Sequence, residues 1–296
     1  MINIARILVF FIVVLFSANI SAQSFFEKSD TLNISRRNLA IGTTVGVGTV
    51  TLIGLNELWY KDYPRSSFHF INDNDNWLQM DKLGHATTTY YMGSLGMKSF
   101  RWSGMSEKEA IWYGGSVGLI FMTSVEVLDG FSQEWGASWG DVIANTSGTA
   151  LFISQQLLWH EQRVEMKFSY HQTSYAEQNS NTLGSTFLES LLKDYNGQTY
   201  WLSVNPWSFA KESRFPKWLS ISAGYGAEGM LTGLPPEEGD NRYRKFLLSL
   251  DLKLSNINTG STFWNSFFDA INIIKIPFPA VEYNTKGEFQ FHPLYF

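Results

Sequence analysis

The chain has 296 residues, no cysteine, and 22 basic against 27 acidic residues, for a formal net charge of −5. The missing thiol excludes disulfides, thiolate metal sites, cysteine nucleophiles and lipidation of a cysteine within this sequence, and an acidic balance without a basic cluster argues against nucleic acid as a partner. Only 17% of residues are charged while 16% are aromatic, against about 25% charged in ordinary soluble domains, so the composition points to membrane association.

Residues 1–22 read as a signal peptide: Arg6, an apolar run from Ile7 to Phe16, then Ser17, Ala18, Ser21 and Ala22 before an expected cut near Ala22 or Gln23. The run is too short to span a bilayer comfortably, so the mature chain is expected to be exported. A first helical segment runs from Leu39 to Trp59, with Gly42, Gly46, Thr49, Ile53 and Asn56 at helical spacing. Small residues at that spacing let helices approach closely. A loop follows, with Pro64 and the turn-rich Asn72-Asp73-Asn74-Asp75-Asn76. That stretch has the look of a calcium loop but lacks the glycine and the terminal glutamate of one, so a polar turn is expected.

A second helix is expected from Asp81 to Arg101, carrying Asp81, His85, Thr89, Met92 and Gly96 on one face. The third starts at a capping box, Ser106-Glu107-Lys108-Glu109. It carries Gly115, Gly118, Met122, Glu126 and Asp129 and stops at Gly130. The fourth runs from about Ser138 to Trp159 with Asp141, Asn145, Gly148, Phe152 and Gln155 on one face. Short connections favour antiparallel neighbours. That geometry brings to one level Asp81, Lys82 and His85, Glu126 and Asp129, and Asp141 and Asn145, with Asn56 and Glu57 ending the first helix there.

Beyond His160 the period changes to two. Val164–Tyr170, Leu219–Gly226 and Phe246–Ser255 alternate apolar and polar residues, with shorter examples at Tyr200–Asn205 and Glu288–His292, and helix candidates at Thr186–Lys193 and Thr262–Lys275. The fold class expected is α+β: a glycine-rich bundle of about four helices followed by an antiparallel, membrane-facing sheet or partial barrel. About five or six strands are too few for a closed single-chain barrel, which needs about eight, and this weighs against a porin-like channel. The alternative is a periplasmic sheet whose apolar face covers the bundle.

Each residue of the polar layer has a plain structural reading. Asp81 suits a helix N-cap, and Asp141 suits a capping box with Ser138. Glu126 and Asp129 are harder to account for. They sit one turn apart near a helix C-terminus, where the dipole disfavours acids. They require compensation from Lys82, His85, a proton or a metal. Three readings stay open: a buried ion network, a binding site that includes a divalent metal among its candidate ligands, and an acid–base site with Glu126, Asp129 and His85 as catalytic candidates. In the last two, Asp81, Lys82, Asp141 and Asn145 bind and orient.

Taken together, Asp81-Lys82-x-x-His85, Glu126-x-x-Asp129-Gly130 and Asp141-x-x-x-Asn145-x-x-Gly148 resemble the YfiM-like family, and more distantly VanZ-like membrane proteins, over roughly residues 55–160. The resemblance implies a periplasmic protein of unknown activity, and a lipoprotein in that family has no counterpart here for its lipidated cysteine. The expected division is 1–22 signal peptide, 37–160 helical YfiM-like domain and 161–296 β-rich domain. The expected function is an envelope protein, in the outer membrane or a periplasm-facing (alternatively inner) membrane, that binds or modifies a membrane lipid or cell-wall component. The alternative is a non-catalytic structural or assembly protein.

Overall fold

The computed structural model describes residues 25, 27–61, 63–235 and 241–296; the expected signal peptide lies outside them. Helix α1 spans Ile34–Leu55 and starts on Asn33, whose side chain accepts the Arg36 N–H at 3.0 Å. One π-helical turn, Asn56–Tyr60, extends it. Helix α2 spans Met80–Trp102. The expected capping box is present at Ser106, with both reciprocal bonds made to Glu109. It opens a helical stretch that passes through a π turn, Ala110–Gly114, into α3, Val117–Gly130. Helix α4 spans Trp139–Trp159 with Ser138 as its cap.

Helices α2, α3 and α4 touch backbone to backbone because glycine sits at the crossings. A Cβ on Gly118 would meet the Thr89 carbonyl oxygen at 2.5 Å, one on Gly93 would meet that of Gly115 at 2.6 Å, and one on Gly148 would land on the Ala86 carbonyl. Ala86, Tyr90, Ile111, Ala144, Phe152, Ile153 and Met166 form the core around these contacts. Helix α1 departs from expectation. Gly42 and Gly46 have nothing within 4 Å, and Val45, Val47, Val50 and Ile53 are exposed. Its small-residue stripe therefore faces no helix. The helix is anchored near its start, where Ala40 packs with Phe100 and Ala110. Ile34–Leu55 and the stretch Glu107–Gly130 are each long and apolar enough to cross a membrane.

Six antiparallel strands follow in consecutive order: β1 Val164–Tyr170, β2 Gln198–Val204, β3 Leu219–Glu228, β4 Tyr243–Leu252, β5 Phe278–Asn284 and β6 Phe289–Tyr295. Sequence reasoning missed β5, because Pro277 and Pro279 interrupt its entry. Short helices lie between strands, among them the two expected ones, α5 at Phe187–Lys193 and α6 at Thr262–Ile271, the latter ending before the expected Lys275. The sheet curls on itself. Lys167 on β1 reaches Asp251 on β4 at 3.2 Å although two strands separate them, and the free edge of β1 bonds to the segment that enters β5, Phe168 N–H to Ile273 O at 2.8 Å. This is a partial barrel.

Its faces are inverted relative to a water-soluble sheet. Along β4 the inward residues Lys245, Ser249 and Asp251 are buried, while Phe246, Leu248 and Leu250 are exposed, Leu248 by 59%. The neighbouring outward residues Ile221, Val281 and Tyr283 are exposed too. The interior is filled by Trp201, Lys167, Lys275 and Tyr295. The apolar face covers the bundle along β1, through Met166, and at the start of α2, where Phe168, Tyr200 and Tyr225 pack with Met80 and Leu83. The alternative of an apolar face that covers the bundle thus holds for these rows, while Ile221, Leu248, Leu250 and Val281 lie outside the cover.

The two classes of helical glycine make opposite predictions. Gly118→Ala or Gly148→Ala is expected to force α2 apart from its neighbours and to lower stability by about 1–3 kcal/mol, the usual cost of overpacking. Gly42→Ala, in open space, is expected to leave stability unchanged or to raise it by roughly 0.5–1 kcal/mol through helix propensity. Unfolding of the detergent-purified variants checks both; equal effects at the two classes would contradict the packing described.

Candidate functional site

The first turns of α2 supply Asp81, Lys82 and His85, the last turn of α3 supplies Glu126 and Asp129, and the start of α4 supplies Asp141 and Asn145. Residues Phe70–Ile71 pair in parallel with Ala137–Ser138, and this short ladder carries a further carboxylate, Asp73, to the same layer. The Lys82 Nζ lies 2.7 Å from Asp73 Oδ2, 2.9 Å from Asp81 Oδ2 and 3.0 Å from Asp141 Oδ1. It thus ties together the loop, α2 and α4. Ser138 Oγ donates to Asp73 Oδ1. Burial alone would raise the Asp73 carboxyl, but the bonds from Lys82 and Ser138 outweigh it and hold the group below the usual carboxylate range.

A second cluster surrounds His85. Its Nδ1 is 3.2 Å from Asn145 Oδ1, 3.5 Å from Glu126 Oε1 and 3.9 Å from Asp141 Oδ1. Glu126 is 4% exposed and Asn145 1%. Glu126 Oε2 accepts the Ser138 N–H at 3.0 Å, while Ser138 Oγ accepts the Asp141 N–H at 3.2 Å. The capping box expected within α4 is therefore completed by a residue of α3. Asp141 faces Lys82 and His85. Asp81 also differs from expectation: Gln79 occupies the N-cap position of α2, and Asp81, one residue inside the helix, turns to Lys82.

Asp129 stands apart from the His85 cluster. Its Oδ1 accepts the Tyr60 hydroxyl at 2.6 Å. Tyr60, not Asn56 or Glu57, is thus the residue that the end of α1 sends to the layer; Glu57 pairs with Lys61 on the surface. Sequence reasoning missed Asp73, Tyr60 and Ser138 as members. Asp73 had a visible signal in the polar turn, read there only for calcium. Tyr60 had none, because a single tyrosine after a helix carries no pattern.

Immediately before α2 the backbone is left-handed at three successive non-glycine residues, Trp77 (φ 49°), Leu78 (φ 50°) and Gln79 (φ 66°). Each costs about 1–2 kcal/mol in an L-residue. The sheet holds this turn in place. The Tyr225 hydroxyl donates to Leu78 O at 2.5 Å, Arg244 Nη2 donates to Gln79 Oε1 at 3.1 Å, and the Trp77 N–H donates to Gly233 O at 3.2 Å. Beside it opens a cavity of about 410 Å³ lined by Gln79, Lys82, Leu83, Tyr225, Arg244 and Phe246.

Five carboxylates therefore share one layer with a single lysine and a histidine. Three of its buried polar atoms, Asp81 Oδ1, Glu126 Oε1 and Asn145 Nδ2, have no hydrogen-bond partner, and Asp141 Oδ1 is met by the Lys82 ammonium. Such an arrangement suits a group that brings positive charge, protons or hydrogen-bond donors.

Residues 69–156 match the model of a family described as predicted periplasmic lipoprotein (DUF2279). The match contains every residue of the layer except Tyr60. It supports an exported, periplasm-facing protein of the cell envelope whose activity is unknown. No curated protein and no solved structure matches the chain. The absence of cysteine leaves the lipid attachment in that description without an acceptor in these 296 residues.

Removal of the Lys82 ammonium would leave three carboxylates facing one another. Lys82→Met is expected to cost about 3–5 kcal/mol, as for one partner of a buried ion pair. Glu126→Gln keeps an oxygen for the Ser138 N–H and removes a carboxyl whose charge burial disfavours, so with both proteins stripped of metal by a chelator it is expected to be as stable as the parent or more so. Unfolding of both in the same detergent checks the pair; a Lys82→Met protein as stable as the parent would refute the described role of the lysine.

Proposed function

We propose that this is an envelope protein held in a membrane by its apolar outer surfaces, with the polar layer binding and acting on the phosphate-bearing head of a lipid or lipid-linked cell-wall component. The observation that carries the reading is the cavity beside α2. It joins Lys82, a member of the polar layer, to Phe246, a member of the outward apolar row of the sheet. A lipid lying on the sheet would bring its head to the layer by this route. Arg244 at the mouth bonds to Tyr225 and Gln79 and makes no ion pair among the described residues, which leaves its charge for an anion. In this reading Glu126 and Asp129 are the acid–base pair, His85 carries the proton, Lys82 balances charge, and Asp141 and Asn145 orient the head.

The dimensions agree with a bilayer. From Asp81 to Lys98 α2 rises roughly 25 Å, close to a hydrocarbon core of about 30 Å. Lys98 pairs with Asp269 of α6 at 2.6 Å, and α6 exposes Phe263, Trp264 and Phe267, the pattern of a helix lying in an interface. The layer and α6 would then mark opposite faces of a periplasm-facing membrane.

The second reading is a non-catalytic assembly protein. It is favoured by the way Lys82 and Ser138 tie α2, α4, the Asp73 loop and, through Glu126, α3 together, which is what a structural lock does.

Native mass spectrometry of the detergent-purified protein, loaded with phosphatidylglycerol or with diacylglycerol, separates the two. The parent is expected to retain one phosphatidylglycerol and not diacylglycerol, and Arg244→Gln is expected to lose it. Equal retention of both lipids, or full retention by Arg244→Gln in a folded protein, would exclude the cavity as a headgroup site and favour the lock.

A further inference from the structure

We propose that His85, Glu126 and Asp141 hold a borderline divalent cation, of the zinc or manganese class, at the centre of the polar layer. This deepens the reading of the layer as a working site and rests on it.

The geometry offers two acidic groupings, and only one has room for an ion. Ligand atoms of Asp73, Asp81 and Asp141 lie within 4.8 Å of one another, as do those of His85, Glu126 and Asp141. The first trio already surrounds the Lys82 ammonium at 2.7–3.0 Å, so its cation is the lysine. In the second trio Asp141 Oδ1 meets the Lys82 ammonium at 3.0 Å, while Glu126 Oε1 meets no lysine or arginine among the described residues. Both oxygens are buried, and Glu126 Oε1 has no hydrogen-bond partner. They stand 3.5 and 3.9 Å from His85 Nδ1. Around an ion with bonds of roughly 2.0–2.2 Å, tetrahedral ligands are about 3.4 Å apart. Each group therefore needs only a small inward movement.

An independent observation points to the same spot. Asn145, 1% exposed, has its Oδ1 3.2 Å from His85 Nδ1, a bond given up when that nitrogen takes the ion, and its Nδ2 is without a partner. A buried amide with an unused donor beside an unused carboxylate oxygen is matched by a ligand such as a metal-bound water, which accepts from the amide and leaves the carboxylates to the ion. Lys82 does not bar the ion. It retains Asp73 and Asp81 when Asp141 Oδ1 turns towards the metal. An imidazole with two carboxylates suits zinc or manganese better than calcium or magnesium, which prefer sets made wholly of oxygen.

The test uses the full chain in detergent, stripped with a chelator and dialysed. Zinc or manganese is added alone, and bound metal is counted by mass spectrometry after desalting. Cobalt substitution reads the ligand field by visible absorption. The expected result is one ion per chain, a visible band from a nitrogen–oxygen site of low coordination, and a rise in melting temperature on adding the ion. Glu126→Gln and His85→Ala are each expected to weaken binding by more than about 100-fold, beyond the roughly 10–100-fold typical of losing an outer partner. Asp73→Asn, on the lysine side, is expected to keep the ion. A parent protein that takes up no ion and gains no thermal stability overturns the proposal without variants, so a variant that fails to fold does not shield it. Equal binding by the parent and Glu126→Gln overturns it as well. Either failure leaves the phospholipid measurement standing, because that experiment depends on Arg244 and not on metal.

Discussion

The arrangement of the helical half follows from one constraint: a single buried ammonium must satisfy carboxylates from three segments. Lys82 does so only if the Asp73 loop, α2 and α4 meet at one level. That meeting in turn requires α2 and α4 to cross closely, which the bare backbone at Gly148 and Ala86 permits. The same lysine cannot neutralise five carboxylates. The layer is therefore stabilised around Lys82 and left with unmatched oxygens, Asp81 Oδ1 beside the lysine and Glu126 Oε1 beside His85. Ion networks kept only for stability have their lone pairs filled, and the unmatched part is where a purely structural account falls short.

The sheet is coupled to that layer through the left-handed turn before α2. Three consecutive residues with positive φ do not persist on local propensity. They persist because Leu78 and Met80 are buried with Tyr200, Ala227 and Met230, and because Tyr225 and Arg244 bond to the turn. The turn sets the direction in which α2 begins and hence where Lys82 and His85 point. Strands far along the sequence thus fix the start of a helix in the first half. On the proposed reading the two halves form one device: the sheet presents a lipid and the layer meets its head.

Much of this was legible in the sequence. The four helices and their polar motifs were visible because apolar and small residues recur at helical spacing, and Ser106 and Ser138 mark two starts unambiguously. Five of the six strands were visible through alternation, and β5 was hidden by its flanking prolines. The convergence of His85, Glu126, Asp141 and Asn145 followed from antiparallel connectivity alone. What was not legible depended on tertiary contacts. Glu126 completes a cap that sequence assigns to Asp141, since reach between helices leaves no mark in spacing. Asp81 loses the cap position because the sheet holds Gln79 in a left-handed conformation that no local preference predicts. The stripe of α1 has the same pattern as those of α2 and α3, yet nothing packs on it: small residues permit close approach but do not produce it.

That unpartnered stripe and the inverted sheet answer to the same physics. In water, an antiparallel sheet places its apolar face inward, and exposed apolar patches rarely exceed a few hundred square ångströms. Here Leu248, Leu250, Phe246, Ile221 and Val281 form an outward row, while Lys167 and Asp251 are fully buried as a pair inside the curl. Burying such a pair costs more than burying leucines of the same volume, so a soluble version of this sheet would be more stable with its faces exchanged. The observed alternation is favourable only where the surroundings are less polar than the interior of the curl. Helix α1, whose Val45, Val47, Val50 and Ile53 are exposed between anchors at Ala40 and Tyr60, suits the same surroundings. On the proposed reading, because β1 packs directly on the bundle through Met166, one slab of lipid would cover both surfaces, and the polar layer would then lie at the level where that slab meets water.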